Sequence, residues 1–163
     1  MKLNIGAGKN KITGFVSIDK ADLKETDIRH DLDKYPYPIT SNSVTEIYAE
    51  NIVEHIENLP KFMEEIHRIT KNQAKIIIIV PYYNYHGAYR DPTHKHFFTA
   101  DSMEYYTEQS RLKYYSKARF KIKKIKLIPT MLGKIIPSPI RNYIGMIIGE
   151  IIKEIQFELE TEK

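Results

Sequence analysis

Two short apolar runs, each closed by a distinctive turn residue, lie close together at the front of the chain. Lys2-Leu3-Asn4-Ile5 leads into Gly6-Ala7-Gly8, and Phe15-Val16-Ser17-Ile18 ends on Asp19. Only ten residues separate Gly8 from Asp19. Parallel strands ordinarily need a dozen or more connecting residues to fit a crossover helix. The spacing therefore predicts a loop or a single helical turn around Asn10 to Thr13. Glycines at such a turn let a ligand approach the backbone with no Cβ in the way. A carboxylate closing the next strand is placed to accept hydrogen bonds from two vicinal ribose hydroxyls. Together these residues read as an edge that binds a nucleoside.

The rest of the first half repeats the strand theme. A short third strand is expected near Asp27 to His30, followed by the loop Tyr35-Pro36-Tyr37-Pro38. A fourth strand runs from Val44 to Ala49. Asn58 is placed to cap a helix with Pro60 in its first turn. Leu59, Phe62, Met63, Ile66 and Ile69 give that helix one apolar face. Ala74 to Val80 holds four consecutive isoleucines, the pattern of an interior strand. Strand, helix, strand in this order predicts a mostly parallel sheet with right-handed crossovers.

The last third has another rhythm. Phe120 and Ile122 are out of phase with Ile125 and Leu127, which predicts a strand with a bulge near Lys123-Lys124. Ile155, Phe157, Leu159 and Thr161 alternate with Gln156, Glu158, Glu160 and Glu162. One strand is rich in lysine and the other in glutamate, so the two are expected to pair antiparallel. Between them, Ser138-Pro139 starts a helix with an apolar stripe at Ile140, Tyr143, Ile144, Ile147, Ile148 and Ile151. The first expectation for that stripe is packing on the sheet. A homodimer contact comes second, and a membrane surface is a further reading.

Composition narrows the class. The 163 residues suit one domain with one core, and the absence of Cys excludes disulfides and thiolate metal sites. No run reaches the roughly 18 apolar residues of a membrane span. Gly6 and Gly8 interrupt the first apolar run, so no signal peptide is read and a cytoplasmic location is expected. The net charge of +4 is mild. Lysines from Arg111 to Lys126 read first as protection of an edge strand, with a nucleic-acid surface as the weaker alternative.

The segments Leu3-Asn4-Ile5-Gly6-Ala7-Gly8, Ile18-Asp19, His30-Asp31-Leu32, Glu46-Ile47-Tyr48-Ala49, Val53-Glu54-His55-Ile56, Glu64 to Ile69 and Lys75 to Pro81 follow one another in a known order. In this the chain resembles the class I S-adenosylmethionine-dependent methyltransferases. It is most similar to compact members of the type 11 kind, which also carry an Asp-Pro-Thr-His segment, here Asp91 to His94. The resemblance implies an α/β, Rossmann-like fold: a mostly parallel seven-stranded sheet with an antiparallel C-terminal strand and helices on both faces. It implies a single domain over 1–163. Residues 1–81 would form the cofactor-binding half, and 82–163 the substrate loop, helices and C-terminal strands.

Carried over by position, Gly6 and Gly8 would pass under the methionine part of S-adenosyl-L-methionine. Asp19 would bind the ribose, Asp31 and Leu32 would flank adenine, and Glu50 and Asn51 would meet the methionine amino group. Two departures stand out. Lys9-Asn10-Lys11 replaces the family's third glycine and helix, and Lys71-Asn72-Gln73-Ala74 replaces its Lys-Pro-Gly-Gly turn.

Methyl transfer is an in-line displacement on an activated sulfonium, so the protein chiefly aligns the partners. A hydroxyl acceptor also needs a base. His94 is read as that base, with Asp91 as its orienting acid or a substrate contact. Tyr83, Arg90 and His96 are read as acceptor contacts. Glu54 and His55 are read as capping or solvated groups at a helix start. His86, His94 and His96 with Asp91 match no metal-ligand spacing, so no metal is expected. The expected acceptor is a small molecule or glycan. A non-catalytic cofactor binder of the same fold and an RNA methyltransferase are the alternatives.

Overall fold

The computed structural model describes residues 1–163. Seven strands form one sheet in the order β3-β2-β1-β4-β5-β7-β6. They are β1 (Lys2–Ile5), β2 (Val16–Asp19), β3 (Ile28–Arg29), β4 (Val44–Glu50), β5 (Thr70–Pro81), β6 (Phe120–Pro129) and β7 (Ile152–Thr161). β1 to β5 run parallel, and β7 is antiparallel to both β5 and β6. The lysine-rich and glutamate-rich strands pair as expected, with Lys121 opposite Glu160 and Lys124 opposite Glu158. The register slips between Ile122 and Lys124, where the isoleucine phase changes. No helix is long and apolar enough to cross a membrane.

α1 (Leu59–Ile69) begins where Asn58 accepts a hydrogen bond from the Lys61 amide at 3.0 Å, with Pro60 in its first turn. Such a cap is worth about 1 kcal/mol. Phe62, Met63, Ile66 and Ile69 are buried beneath it, joining Ile47, Ile76, Ile78, Phe157 and Leu159 in the core. Glu65 is also buried. It accepts from the Tyr37 amide and pairs with Arg68, which binds the carbonyls of Tyr37 and Ile39 and so locks the Pro-rich loop to the helix.

The two faces of the sheet differ. Along β4, β5 and β7 every second side chain is core, while the alternates Glu46, Tyr48, Glu50, Ile77, Gln156, Glu158 and Glu160 are half-buried. Register places Lys2 beside Glu46, Glu46 beside Lys75, and Lys75 beside Glu160. Lys2 and Glu46 meet at 2.8 Å. Over β1 and β2 this polar face is closed by loop: Asn4 donates to the Asn10 carbonyl, and Ser17 engages Asp27. Asp27 is held down to about 2 by hydrogen bonds from Ser17 and Lys11. The expected coverage by helices is thus realised unevenly. The connections β1–β2, β2–β3 and β3–β4 carry no helix because they are too short or too rich in turn residues.

The C-terminal helix departs from its expected stripe. α3 (Ser138–Gly145) stops after eight residues, and turns carry the chain to Glu150. Gly145 lies against Ile152 so closely that a Cβ would sit 2.5 Å from it. Ile144 and Ile151 of that stripe pack against the core as expected, but Ile140, Tyr143, Ile147 and Ile148 do not; they are 56%, 68%, 73% and 55% exposed. Met131, Leu132 and Ile135 extend the same apolar surface.

Candidate active site

The parallel strands β1 to β5 all end at one edge of the sheet, where ligands bind in open α/β folds. The predicted cofactor residues gather there. Gly6 and Gly8 have φ of +66° and +50°. At Gly6 a Cβ would lie 2.3 Å from Ile52, so the turn is closed to larger residues. At Gly8 the space above the Cα is open. Asp19 holds this turn in shape: its two oxygens accept from the amides of Gly8 and Ala21 at 2.8 and 2.9 Å. A carboxylate oxygen has a second lone pair, so each remains able to accept from a ribose hydroxyl.

Asp31 is half-buried two residues past β3 and accepts from the Asp33 amide. Leu32 is in the core, and its carbonyl accepts from the Tyr37 hydroxyl. Glu50 ends β4 and accepts from the Tyr48 hydroxyl. Asn51 turns the chain with φ of +51°.

Beside this edge lies a cleft of about 330 Å³. Asn51, Glu54, His55, Pro81, Tyr85, His86, Gly87, Arg90, Asp91, His94, Lys153 and Glu154 line it. Three predicted residues of the Asp91 to His94 segment and its approach, Arg90, Asp91 and His94, thus share one wall. Gly6, Asp19 and Asp31 lie outside the cleft, farther along the edge. Tyr83 also lies outside it, with its hydroxyl donating to the Met146 carbonyl at 2.6 Å. His96 faces another depression beside Leu59 and Phe98, and its Nε2 contacts the Ile56 carbonyl.

The cleft is positioned by a clamp. After β4 a single 3-10 turn spans Val53–His55, with Val53 and Ile56 anchored in the core. The amides of Lys95 and His96 both donate to the Glu54 carbonyl. This draws the segment after α2 (Gly87–Arg90) against the turn. His94 Nδ1 lies 2.8 Å from the Ala88 carbonyl. His55 Nδ1 lies 2.8 Å from the Thr93 hydroxyl, which itself donates to Asp91. Asp91 therefore steadies His55 through Thr93, and not His94 directly.

Glu54, read from sequence as a solvated or capping group, is 1% exposed and points inward. Neither of its oxygens has a hydrogen-bond partner. Burial pushes its carboxyl up to about 7, against the opposing pull of its own backbone amide and of His94. Burial and the neighbouring His94 hold His55 below the usual imidazole range. Asp91 is held low by the Thr93 hydroxyl and amide.

This architecture is the Rossmann-like fold seen in S-adenosylmethionine-dependent methyltransferases of known structure. Residues 5–78 match the family model described as a methyltransferase domain. A SAM-dependent methyltransferase from Archaeoglobus fulgidus superposes with a TM-score of 0.68 at 15% identity, covering 98% of this chain and 85% of that one. One from Mesorhizobium loti gives 0.63 at 11%, covering 98% and 89%. Phosphoethanolamine N-methyltransferase 2 of Haemonchus contortus, solved in complex with S-adenosyl-L-methionine, gives 0.65 at 11%, covering 99% of this chain and 48% of that one. No curated protein matches the chain significantly in sequence.

Proposed function

We propose that this protein binds S-adenosyl-L-methionine along the tips of β1 to β4 and transfers its methyl group to a small, polar, sugar-like acceptor held in the adjoining cleft. The observation that carries the reading is the adjacency of two features: the Gly6 to Gly8 turn braced by Asp19, and a polar cleft holding an imidazole with a free ring nitrogen. The residues fit the cofactor. The glycine turn is open above Gly8, and Asp19 keeps lone pairs for the ribose. Asp31 and Leu32 would flank the adenine, while Glu50 and Asn51 would meet the methionine amine. When bound, the cofactor supplies a sulfonium methyl that needs no further activation.

The chain's own groups act on the acceptor. His94 commits its Nδ1 hydrogen to the Ala88 carbonyl, which leaves Nε2 facing Glu54 and the cleft as a proton acceptor. That is the arrangement a hydroxyl acceptor requires. Arg90 and Asp91 on the same wall suit hydrogen bonds to neighbouring hydroxyls. In β6, Lys121 and Lys124 lie opposite Glu160 and Glu158 of β7 and Lys123 pairs with Glu160, which weighs against an RNA acceptor. The exposed apolar surface of Met131, Leu132, Ile135, Tyr143 and Ile147 is assigned to a second copy of the chain. Sedimentation of Ile147→Asp against the unmodified chain tests that assignment, and a monomer in both removes it.

Binding titrations with S-adenosylmethionine and its demethylated product test the first half of the reading. Single-turnover transfer of a labelled methyl group to a panel of sugars and small alcohols tests the second. Binding with no transfer to any acceptor would leave a cofactor-binding protein, and no binding would remove the function altogether.

A further inference from the structure

The carboxylate of Glu54 has no partner, and its neighbours are turned in a way that explains why. A buried and isolated carboxylate is among the most unfavourable groups a fold can hold. The Ala88 carbonyl is an acceptor only, so His94 Nδ1 must carry the hydrogen of its neutral ring and Nε2 must be a bare lone pair. The Thr93 hydroxyl spends its one hydrogen on Asp91, so it can only accept from His55 Nδ1. His55 Nε2 is then a bare lone pair as well. Both imidazoles direct their hydrogens outward. A Glu54 oxygen and one ring nitrogen from each histidine lie within 4.8 Å of one another. His94 Nε2 stands 4.0 Å from Glu54 Oε1, too far for a hydrogen bond. With Glu54 ionised, the carboxylate and the two imidazoles bring three electron-pair donors to one small gap.

We propose that Glu54, His55 and His94 form a two-histidine, one-carboxylate site for a divalent transition cation of the zinc or ferrous type. Imidazole and carboxylate together suit these ions, whereas magnesium prefers an all-oxygen shell. Ligand distances of roughly 2.0–2.2 Å require the three side chains to close by about an ångström. The outer partners are in place: a metal-binding histidine almost always gives its other N–H to a carbonyl, carboxylate or similar acceptor. Here Ala88 serves His94, and Thr93 with Asp91 serves His55. The cation's remaining positions open into the cleft beside Arg90 and Asp91. Resting on the acceptor site proposed above, a coordinated hydroxyl would be held and acidified there, losing its proton to water in the open cleft, while His94 would hold the cation instead of the proton. Cation binding itself rests on the cluster alone.

The test uses the full chain, stripped with EDTA and titrated with Co²⁺ and Zn²⁺ by calorimetry and by the Co²⁺ ligand-field absorption. The expected result is about one Co²⁺ per chain, displaced by Zn²⁺ and not by excess Mg²⁺. Glu54→Gln and His94→Ala, checked for folding by circular dichroism, should lose it. Thr93→Val should weaken it about 10- to 100-fold, and His86→Ala should leave it unchanged. The unmodified chain decides alone: a folded, stripped protein that takes up neither ion overturns the site. So does Co²⁺ binding that survives both ligand variants. Neither cofactor nor acceptor enters the experiment, so its failure is separate from that of the methyl-transfer reading.

Discussion

The two ends of the ligand edge are built from different materials. Over β1 to β3 the surface is made by backbone: two left-handed glycines, a carboxylate braced by two amides, and loops in place of helices. Over β4 and β5 it is made by side chains: a buried acid, two oriented imidazoles, and Arg90 and Asp91 on one wall. A cofactor that arrives activated needs shape and a few fixed acceptors. An acceptor that must lose a proton needs titratable groups, and those need burial and neighbours to tune them.

The largest expected separation between the ends comes from His94→Ala. It should slow methyl transfer in a single turnover by about 10²- to 10⁴-fold while leaving S-adenosylmethionine affinity unchanged. Normal transfer in a folded variant would erase the contrast. Asp19→Ala should do the reverse at the other end. Cofactor affinity should fall by about 2–3 kcal/mol for lost charge-assisted hydrogen bonds, read by calorimetry, and Co²⁺ uptake should be untouched.

A third experiment concerns pH in metal-free protein. Glu54 titrates near 7 when folded and near 4.5 when unfolded. Between those values the folded state holds the extra proton, so its stability must fall as pH rises through the window. Urea midpoints at pH 5 and pH 8 should show a loss of about 2 kcal/mol that Glu54→Gln does not share. Equal pH dependence in the two proteins would mean the carboxylate is solvated after all. The smallest effect is expected for Tyr83→Phe. Losing the bond to the Met146 carbonyl should cost about 1 kcal/mol of stability and leave turnover alone, which would make Tyr83 a strut for the 133–149 segment.

Much of this was legible in the chain. Ten residues between Gly8 and Asp19 left room for a loop or one helical turn and not for a crossover helix, and the structure has a loop there. The phase change around Lys123 marked the bulge, and the opposed charges of the last two strands marked their pairing. The inward turn of Glu54 was not legible. A Glu-His pair after a strand looks like a solvated cap. What buries it is a clamp from the amides of Lys95 and His96, about forty residues away. The fate of the Ile140 to Ile148 stripe was hidden for a related reason. Periodicity predicts that a face is apolar, and not which surface covers it. The early stop at Gly145 turns that face outward.

The uneven coverage of the sheet has a thermal consequence. Heat capacity of unfolding follows the apolar area newly hydrated, and polar area subtracts from it. With core on one side and a lattice of lysines and glutamates on the other, the molecule should release less of it than the usual 12–15 cal/mol/K per residue, roughly stated. Its stability curve should then be broad and shallow, with resistance to cold and heat spread over a wider span than a doubly covered sheet of this size would show.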